Sequence, residues 1–138
     1  MALKKDDVDL EPQPVGELAL QTLAMPRDTN ANGDIFGGWL VSQMDLAAGI
    51  ATKQVTRGRS ATVAIKNVSF LFPVSVGSIV SCYADIVEIG RSSMHINIEV
   101  WISNSITQHG QRKVAEGHFV FVAIDDNGRT RRIDLPNK

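Results

Sequence analysis

One helical segment of this chain is apolar on nearly every side, and it constrains the fold more than any other feature. The segment runs from about residue 37 to residue 54 and opens with Gly37-Gly38-Trp39-Leu40. The polar side chains that interrupt it are mainly Ser42, Gln43, Asp45 and Thr52. If such a helix packed one face on a flat sheet, much of its apolar surface would stay in water. The rest of the chain is therefore predicted to wrap around it.

Strand patterns surround this helix and predict an antiparallel sheet. A first strand is predicted at about 18–25, and four long strands follow the helix, at about 61–71, 79–89, 92–103 and 113–124. A short strand is predicted at about 129–134, after the hairpin signal Asn127-Gly128. Residues 92–103 alternate with period two. The inward positions are Met94, Ile96, Ile98, Val100 and Ile102, and the other, polar face carries His95, Asn97, Glu99 and Trp101. The predicted fold class is α+β, a strongly curved antiparallel sheet wrapped around one long central helix, which is the hotdog architecture.

Composition and charge narrow the class of protein. A chain of 138 residues is long enough for one domain without disulfides, and the single Cys82 cannot form an internal bridge. The formal net charge of −1 gives no general attraction to nucleic acid. The N-terminus lacks the apolar run of a signal peptide, and no stretch of about 18 apolar residues suits a membrane. We expect a cytoplasmic protein with a flexible polar N-terminal tail at 1–14 and a single domain at 15–138.

Asp45 is the residue of the helix that most needs an explanation. Its helical neighbours three and four positions away are Val41, Ser42, Ala48 and Gly49, so no basic residue on the helix pairs with it. A capping role does not explain it either, since it lies two turns inside the helix. A carboxylate without a partner on a buried helix predicts a chemical role. The alternative is a structural acceptor bonded to a neighbouring loop or across a dimer interface.

A longer motif around this helix resembles a known family. The segment runs from Met25 through Asn30-Ala31-Asn32-Gly33-Asp34 and Gly37-Gly38-Trp39-Leu40 to Ser42-Gln43-Met44-Asp45. It is similar to the YciA-type bacterial acyl-CoA thioesterases of the hotdog superfamily, as are Gly90-Arg91-Ser92-Ser93 and Asp126-Asn127-Gly128-Arg129. The resemblance implies a hydrolase of fatty acid metabolism that cleaves fatty acyl-coenzyme A. It implies a homo-oligomer of hotdog dimers, often three of them in a hexamer. It also implies no cofactor beyond the coenzyme A of substrate and product.

Thioester hydrolysis gives roles to the helix residues. Gly37 and Gly38 open the helix, where free N–H groups and the positive end of the dipole suit the oxyanion of a carbonyl under attack. The alternative is that this glycine pair only permits tight packing or a strained turn. Asp45 would act as general base toward water or as the nucleophile, and both roles stay open. The resemblance places Asn30 in the site, whereas its residue type equally suits turn hydrogen bonds.

Coenzyme A carries phosphate groups, so its site needs hydrogen-bond donors and positive charge. The turn Gly90-Arg91-Ser92-Ser93 offers a guanidinium, two hydroxyls and backbone N–H groups. By resemblance this turn faces the nucleotide or the pantetheine arm, and the alternative is an ordinary solvated hairpin. Arg129, Arg131 and Arg132 form a second basic cluster. It is predicted either to bind the phosphates from a neighbouring subunit or to be a solvated strand face.

The spacing of the catalytic candidates predicts a shared site. Eight residues separate Gly37 from Asp45, which corresponds to about 12 Å along a helix axis. One chain can hardly bring both to the same carbonyl. Two antiparallel helices related by a two-fold axis would place Asp45 of one chain beside Gly37 and Gly38 of the other. The minimal active unit is therefore predicted to be a homodimer.

Other functions fit the sequence less well. There is no Gly-x-Ser-x-Gly elbow of a serine hydrolase and no nucleotide-binding glycine spacing. His95, His109 and His118 lack the close spacing of a metal site, so no metal is predicted. Hotdog dehydratases use a histidine, and none lies near the helix. A non-catalytic acyl-CoA binding or sensor module stays as the alternative, although a pure binder gains nothing from the Asp45 carboxylate.

Overall fold

The computed structural model describes residues 12–103 and 110–135. The strands are β1 (Glu17–Leu23), β2 (Ser60–Phe70), β3 (Ile79–Ile89), β4 (Ser93–Ser103) and β5 (Arg112–Ala123), and the long helix is α1 (Gly37–Thr56). A short 3-10 helix, Pro26–Asp28, precedes α1. All the long strand predictions and the helix are confirmed to within two residues. Residues 1–11 of the predicted tail, as well as His109, lie outside the described residues.

The five strands form one antiparallel sheet in the order β1-β3-β4-β5-β2. The helix α1 contacts every strand of this sheet. Register shifts interrupt the pairing of all four strand pairs. Such irregularities bend strands and increase their twist, which lets one sheet curve around a helix. The predicted wrapping of the sheet around α1 is therefore confirmed.

The core lies between α1 and the concave face of the sheet. Its largest fully buried side chains include Phe119, Met44, Met94 and Ile96. Cys82 is also fully buried, and burial raises the pKa of its thiol to about 12, so it is an unreactive core residue.

No helix in the described part of the chain is long and apolar enough to cross a membrane.

The alternation predicted for β4 is confirmed, with one exception. Met94, Ile96, Ile98 and Val100 are fully buried. Trp101 was assigned to the polar face but is only 3% exposed. Its indole N–H donates to Glu99 at 2.9 Å, and the backbone N–H of Val15 donates to the same carboxylate oxygen at 3.2 Å. The segment before β1 therefore lies against this end of the sheet, which a strand pattern does not reveal.

Helix α1 keeps one flank exposed in the single chain. It begins after Phe36 and ends at Arg57, which adopts the left-handed conformation with φ 54°. Leu46 is 55% exposed and Ile50 is 40% exposed, although the helix was expected to be covered all round. Val63 and Ile65 on the edge strand β2 are exposed as well. The sheet of one chain therefore covers only part of the helix, and an apolar surface remains on α1 and β2.

The predicted short strand at 129–134 is wrong, although the turn before it is confirmed. Gly128 has φ 81°, and the Asp125 N–H donates to the Arg129 carbonyl oxygen at 2.8 Å. Only an isolated bridge between Ile124 and Thr130 follows this turn. The Ile133 N–H then donates to the carbonyl oxygen of Arg91, in the β3–β4 turn. The chain leaves β5 after one bridge, so no continuous ladder forms.

Candidate active site

Asp45 and Thr62 form the central contact of the site. Asp45 is half-buried on the flank of α1 that faces β2, and the Thr62 hydroxyl donates to its Oδ1 at 2.6 Å. The expectation that Asp45 lacks a partner is therefore wrong. Thr62 lies 17 residues further along and meets Asp45 only because β2 returns beside α1. The second oxygen, Oδ2, has no hydrogen-bond partner among residues 12–103 and 110–135.

Gly37 and Gly38 occupy the first turn of α1, as predicted. The Trp39 N–H donates to the Phe36 carbonyl oxygen at 3.1 Å. The N–H groups of the two glycines have no acceptor within the part of the chain that is described. A Cβ at Gly37 would lie 3.1 Å from the Phe70 ring, so close packing is one reason for glycine at this position. At Gly38 the nearest atom would lie at 3.5 Å, an ordinary contact, so packing does not require glycine there.

Asn30 organises the loop that leads into α1. Its Oδ1 accepts hydrogen bonds from the backbone N–H groups of Asn32 at 2.9 Å and Asp34 at 3.2 Å. The carbonyl side of its amide therefore builds the turn, as the alternative interpretation expected. Its Nδ2 has no acceptor among the described residues. Asp28 ties this loop to the helix, since its carbonyl oxygen accepts the Phe36 N–H at 3.1 Å.

One chain does not assemble these groups into one site. Helix α1 is continuous from Gly37 to Thr56, so Gly37 and Asp45 are separated by about 12 Å along its axis. Gly38 and Asp45 are seven residues apart and share the same flank, because seven residues make nearly two turns. The predicted separation within a single chain therefore holds.

A cluster of arginines, here termed the arginine end, lies where α1 ends. It consists of Arg57, Arg59, Arg91, Arg129, Arg131 and Arg132. The Ile133 N–H bond to Arg91 joins the β3–β4 turn to the segment after β5, and the Arg59 guanidinium donates to the Asp125 carbonyl oxygen at 3.2 Å. No arginine of this cluster forms an ion pair within residues 12–103 and 110–135.

The β3–β4 turn presents unused polar groups at this end. It is closed by a hydrogen bond from the Gly90 N–H to the Ser93 carbonyl oxygen at 2.7 Å. The Arg91 guanidinium and the hydroxyls of Ser92 and Ser93 have no partner among the described residues. Arg131, in contrast, has a structural role, because its Nε donates to the Ile124 carbonyl oxygen at 2.9 Å. Its Nη2 also reaches the carbonyl oxygen of Thr56, the last residue of α1, at 3.5 Å.

A histidine pair lies on the outer face of the sheet, away from Asp45. His95 Nδ1 and His118 Nε2 are 2.9 Å apart, and His118 Nδ1 is 2.7 Å from Asn97 Oδ1. The two histidines are 23 residues apart in sequence and meet because β4 pairs with β5. No group of three or more metal-binding side chains occurs in the described residues.

Comparisons with known proteins identify the family. The thioesterase superfamily model matches residues 32–107, more than half of the chain. The acyl-CoA thioester hydrolase YciA of Escherichia coli strain K12 is 51% identical over 124 residues, covering 88% of this chain and 94% of that protein. This chain belongs to the thioesterase superfamily. The sequence resemblance to YciA-type thioesterases is thereby confirmed.

Solved structures agree with this assignment. The hexameric thioesterase of Yersinia pestis has a TM-score of 0.83 and 49% identity, covering 91% of this chain and 100% of that one. A hexameric hotdog-fold thioesterase of Campylobacter jejuni has a TM-score of 0.80 and 36% identity, covering 86% and 91%. The hotdog fold predicted from the helix and strand pattern is confirmed.

Proposed function

We propose that this chain is an acyl-CoA thioesterase that hydrolyses fatty acyl-coenzyme A to free acid and coenzyme A. The observation that carries the proposal is Asp45, which has one oxygen held by Thr62 and the other without a partner in the described chain. In a member of the thioesterase superfamily, such a carboxylate suits attack on a thioester or activation of water. Its relatives from E. coli and Y. pestis, a thioester hydrolase and a hexameric thioesterase, support the same reaction class.

The active unit is a homodimer in which two α1 helices lie antiparallel. Asp45 of one subunit then lies beside the N–H groups of Gly37 and Gly38 of the partner subunit. The exposed apolar side chains of Leu46 and Ile50 support a covered α1 flank. By analogy with the hexameric relatives, three such dimers assemble into a hexamer.

The chemistry divides between the two subunits. Thr62 orients the carboxylate, and the Oδ2 of Asp45 takes a proton from water or attacks the carbonyl itself. The glycine N–H groups stabilise the negative charge that develops on the carbonyl oxygen. The leaving thiol has a pKa of about 8.5 in an ordinary setting, so it departs without a dedicated general acid. Asn30 adds its Nδ2 donor, which has no acceptor among the described residues, on the glycine side of the site.

The arginine end binds the phosphate groups of coenzyme A. Arg91 and the hydroxyls of Ser92 and Ser93 supply charge and donors from the Gly90–Ser93 turn. Arg57 lies twelve residues beyond Asp45, which corresponds to about 18 Å along the helix axis. An extended pantetheine arm spans the space between a thioester at Asp45 and phosphates at this end.

Thiol release from a panel of short to long acyl-CoA thioesters tests the proposal. We expect wild-type turnover and a loss of about a hundredfold or more in kcat for Asp45→Ala, since a positioned base contributes at least that much. Glu17→Ala, at an exposed carboxylate at the start of β1 and outside the proposed site, is the control and should keep full activity. Unchanged activity of Asp45→Ala would remove Asp45 from the mechanism. Coenzyme A binding by a folded wild type that hydrolyses no thioester would favour the sensor or binding module.

A further inference from the structure

Gly49 lies inside α1, and packing within the described chain does not explain why this residue is glycine. Glycine in a helix interior costs about 0.5–1 kcal/mol relative to alanine. Its neighbours Ala47, Ala48 and Ala51 show that small side chains are accepted nearby. A Cβ at Gly49 would meet only the Phe121 ring, at 3.8 Å, an ordinary contact. Alanine would therefore fit this position in the single chain.

At other glycines, close contacts within the chain explain why there is no side chain. A Cβ at Gly58 would lie 2.6 Å from the Arg131 guanidinium. A Cβ at Gly117 would lie 3.0 Å from Met44 and 3.1 Å from Val68. At Gly49 the one neighbour of an added Cβ is at an ordinary distance, so no described contact requires glycine there.

The position of Gly49 connects it to Asp45. The two residues are four apart on α1, so they lie on the same flank, one turn from each other. Phe121, the neighbour of Gly49, pairs across the sheet with Thr62, which donates to Asp45. Gly49 therefore lies between the Asp45 carboxylate and Arg57 at the end of the helix.

We propose that Gly49 keeps open the channel through which the pantetheine arm of the acyl-CoA substrate passes. This inference rests on the proposed function, with the thioester at Asp45 and the phosphates at the arginine end. The arm that joins these two points crosses the helix flank one turn beyond Asp45, where any side chain at position 49 would narrow its path. The acyl chain lies on the other side of the thioester carbonyl and leaves in another direction. Residue size at position 49 thus controls coenzyme A recognition and not acyl-chain length.

The series Gly49→Ala and Gly49→Leu tests the inference. Free coenzyme A has the arm and no acyl chain, so its binding measured by calorimetry is the decisive readout. For Gly49→Leu we expect coenzyme A to bind about tenfold more weakly or worse, as steric overpacking would cause. KM should rise by a similar factor for short and long acyl-CoA alike. Gly49→Ala should show a smaller loss in the same direction, with an unchanged or raised melting temperature because alanine favours the helix.

Gln54→Leu is the matched control, because it places the same side chain on the opposite, β1-facing flank of α1. It should bind coenzyme A as wild type does. If Gly49→Leu binds coenzyme A as wild type does but loses kcat/KM increasingly with acyl-chain length, the proposal is overturned and the channel belongs to the acyl chain. Dissociation of the assembly by Gly49→Ala would overturn it by showing a contact between subunits. The proposed function fails separately, if wild type turns over no acyl-CoA.

Discussion

At the scale of single residues, the contact between Thr62 and Asp45 is the main addition that the structure makes to the site. A hydroxyl that donates to a carboxylate at 2.6 Å forms a charge-assisted hydrogen bond, which is stronger than a neutral one. It engages the Oδ1 of Asp45 and leaves Oδ2 without a partner among the described residues. In the proposed mechanism Thr62 is therefore a positioning residue, and the reaction should need its hydroxyl more than its bulk.

Thr62→Val removes this hydroxyl and keeps nearly the same shape. We expect kcat to fall about tenfold or more with little change in KM, because hydrogen bonds to charged groups contribute about 1.5–3 kcal/mol. Thr62→Ser should recover most of kcat. Steady-state kinetics with one acyl-CoA, together with melting curves, separates the roles. A lower melting temperature with wild-type kcat would indicate that Thr62 only stabilises the fold.

At the scale of elements, the pairing of β4 with β5 brings two titratable histidines into one hydrogen-bonded series on the outer face of the sheet. The side-chain oxygen Oδ1 of Asn97 can only accept, so His118 Nδ1 donates to it, and a neutral His118 ring then accepts the proton of His95 Nδ1 on its Nε2. Only one proton fits between the two rings. Desolvation lowers the pKa of His118 first, followed by the charges of His95 and Lys66, while Glu88 acts in the opposite direction.

The lowered pKa of His118 predicts a pH-dependent stability. The unfolded state binds more protons than the folded state below the ordinary histidine pKa of about 6.5, so folding stability must fall as pH decreases through that value. We expect a lower urea midpoint at pH 5.5 than at pH 7.5, and a smaller difference in His118→Gln. Equal pH dependence in wild type and His118→Gln would show that this histidine does not couple to folding.

At the scale of the whole molecule, the single subunit carries all parts of the proposed site but does not bring them together. The glycine N–H groups and Asp45 lie about 12 Å apart on one rigid helix. In the proposed dimer, the exposed apolar flank of α1 and the edge strand β2 are the surfaces that the second copy contacts. Activity should therefore depend on pairing between chains.

Mixed dimers of Asp45→Ala and Gly37→Pro chains test this dependence. Proline suits the first helical position and removes the Gly37 N–H, and Phe36 before it is already extended, at ψ 149°. The proline Cβ requires a small shift of the Phe70 ring, which is exposed at the surface. Each parent should be inactive, whereas a mixed dimer has one intact site. Random mixing of equal amounts should restore about a quarter of wild-type activity, since half of the dimers are mixed and each has one of two sites. Purified mixed dimers that are no more active than the parents would rule out a shared site.

Much of this protein followed from sequence alone. The apolar helix and the strand periodicity determined the fold class, because burial of that helix leaves few arrangements of the remaining strands. The family motif indicated Asp45, Gly37 and Gly38, and the fixed rise of a helix showed that one chain cannot combine them. The fold prediction is confirmed because it depends on local geometry, whereas the catalytic roles of Asp45, Gly37 and Gly38 stay predictions.

Tertiary structure decided what depends on contacts between distant segments. Thr62 reaches Asp45, His95 reaches His118, and Arg91 reaches the segment after β5 only because strands return beside elements far away in sequence. Other tertiary contacts left a single bridge after β5 where a strand was expected, and buried Trp101 on the face expected to be polar. A sequence pattern shows whether a segment has the period of a helix or of a strand. Which distant side chains it contacts depends on the register of the sheet and on the side on which each element packs.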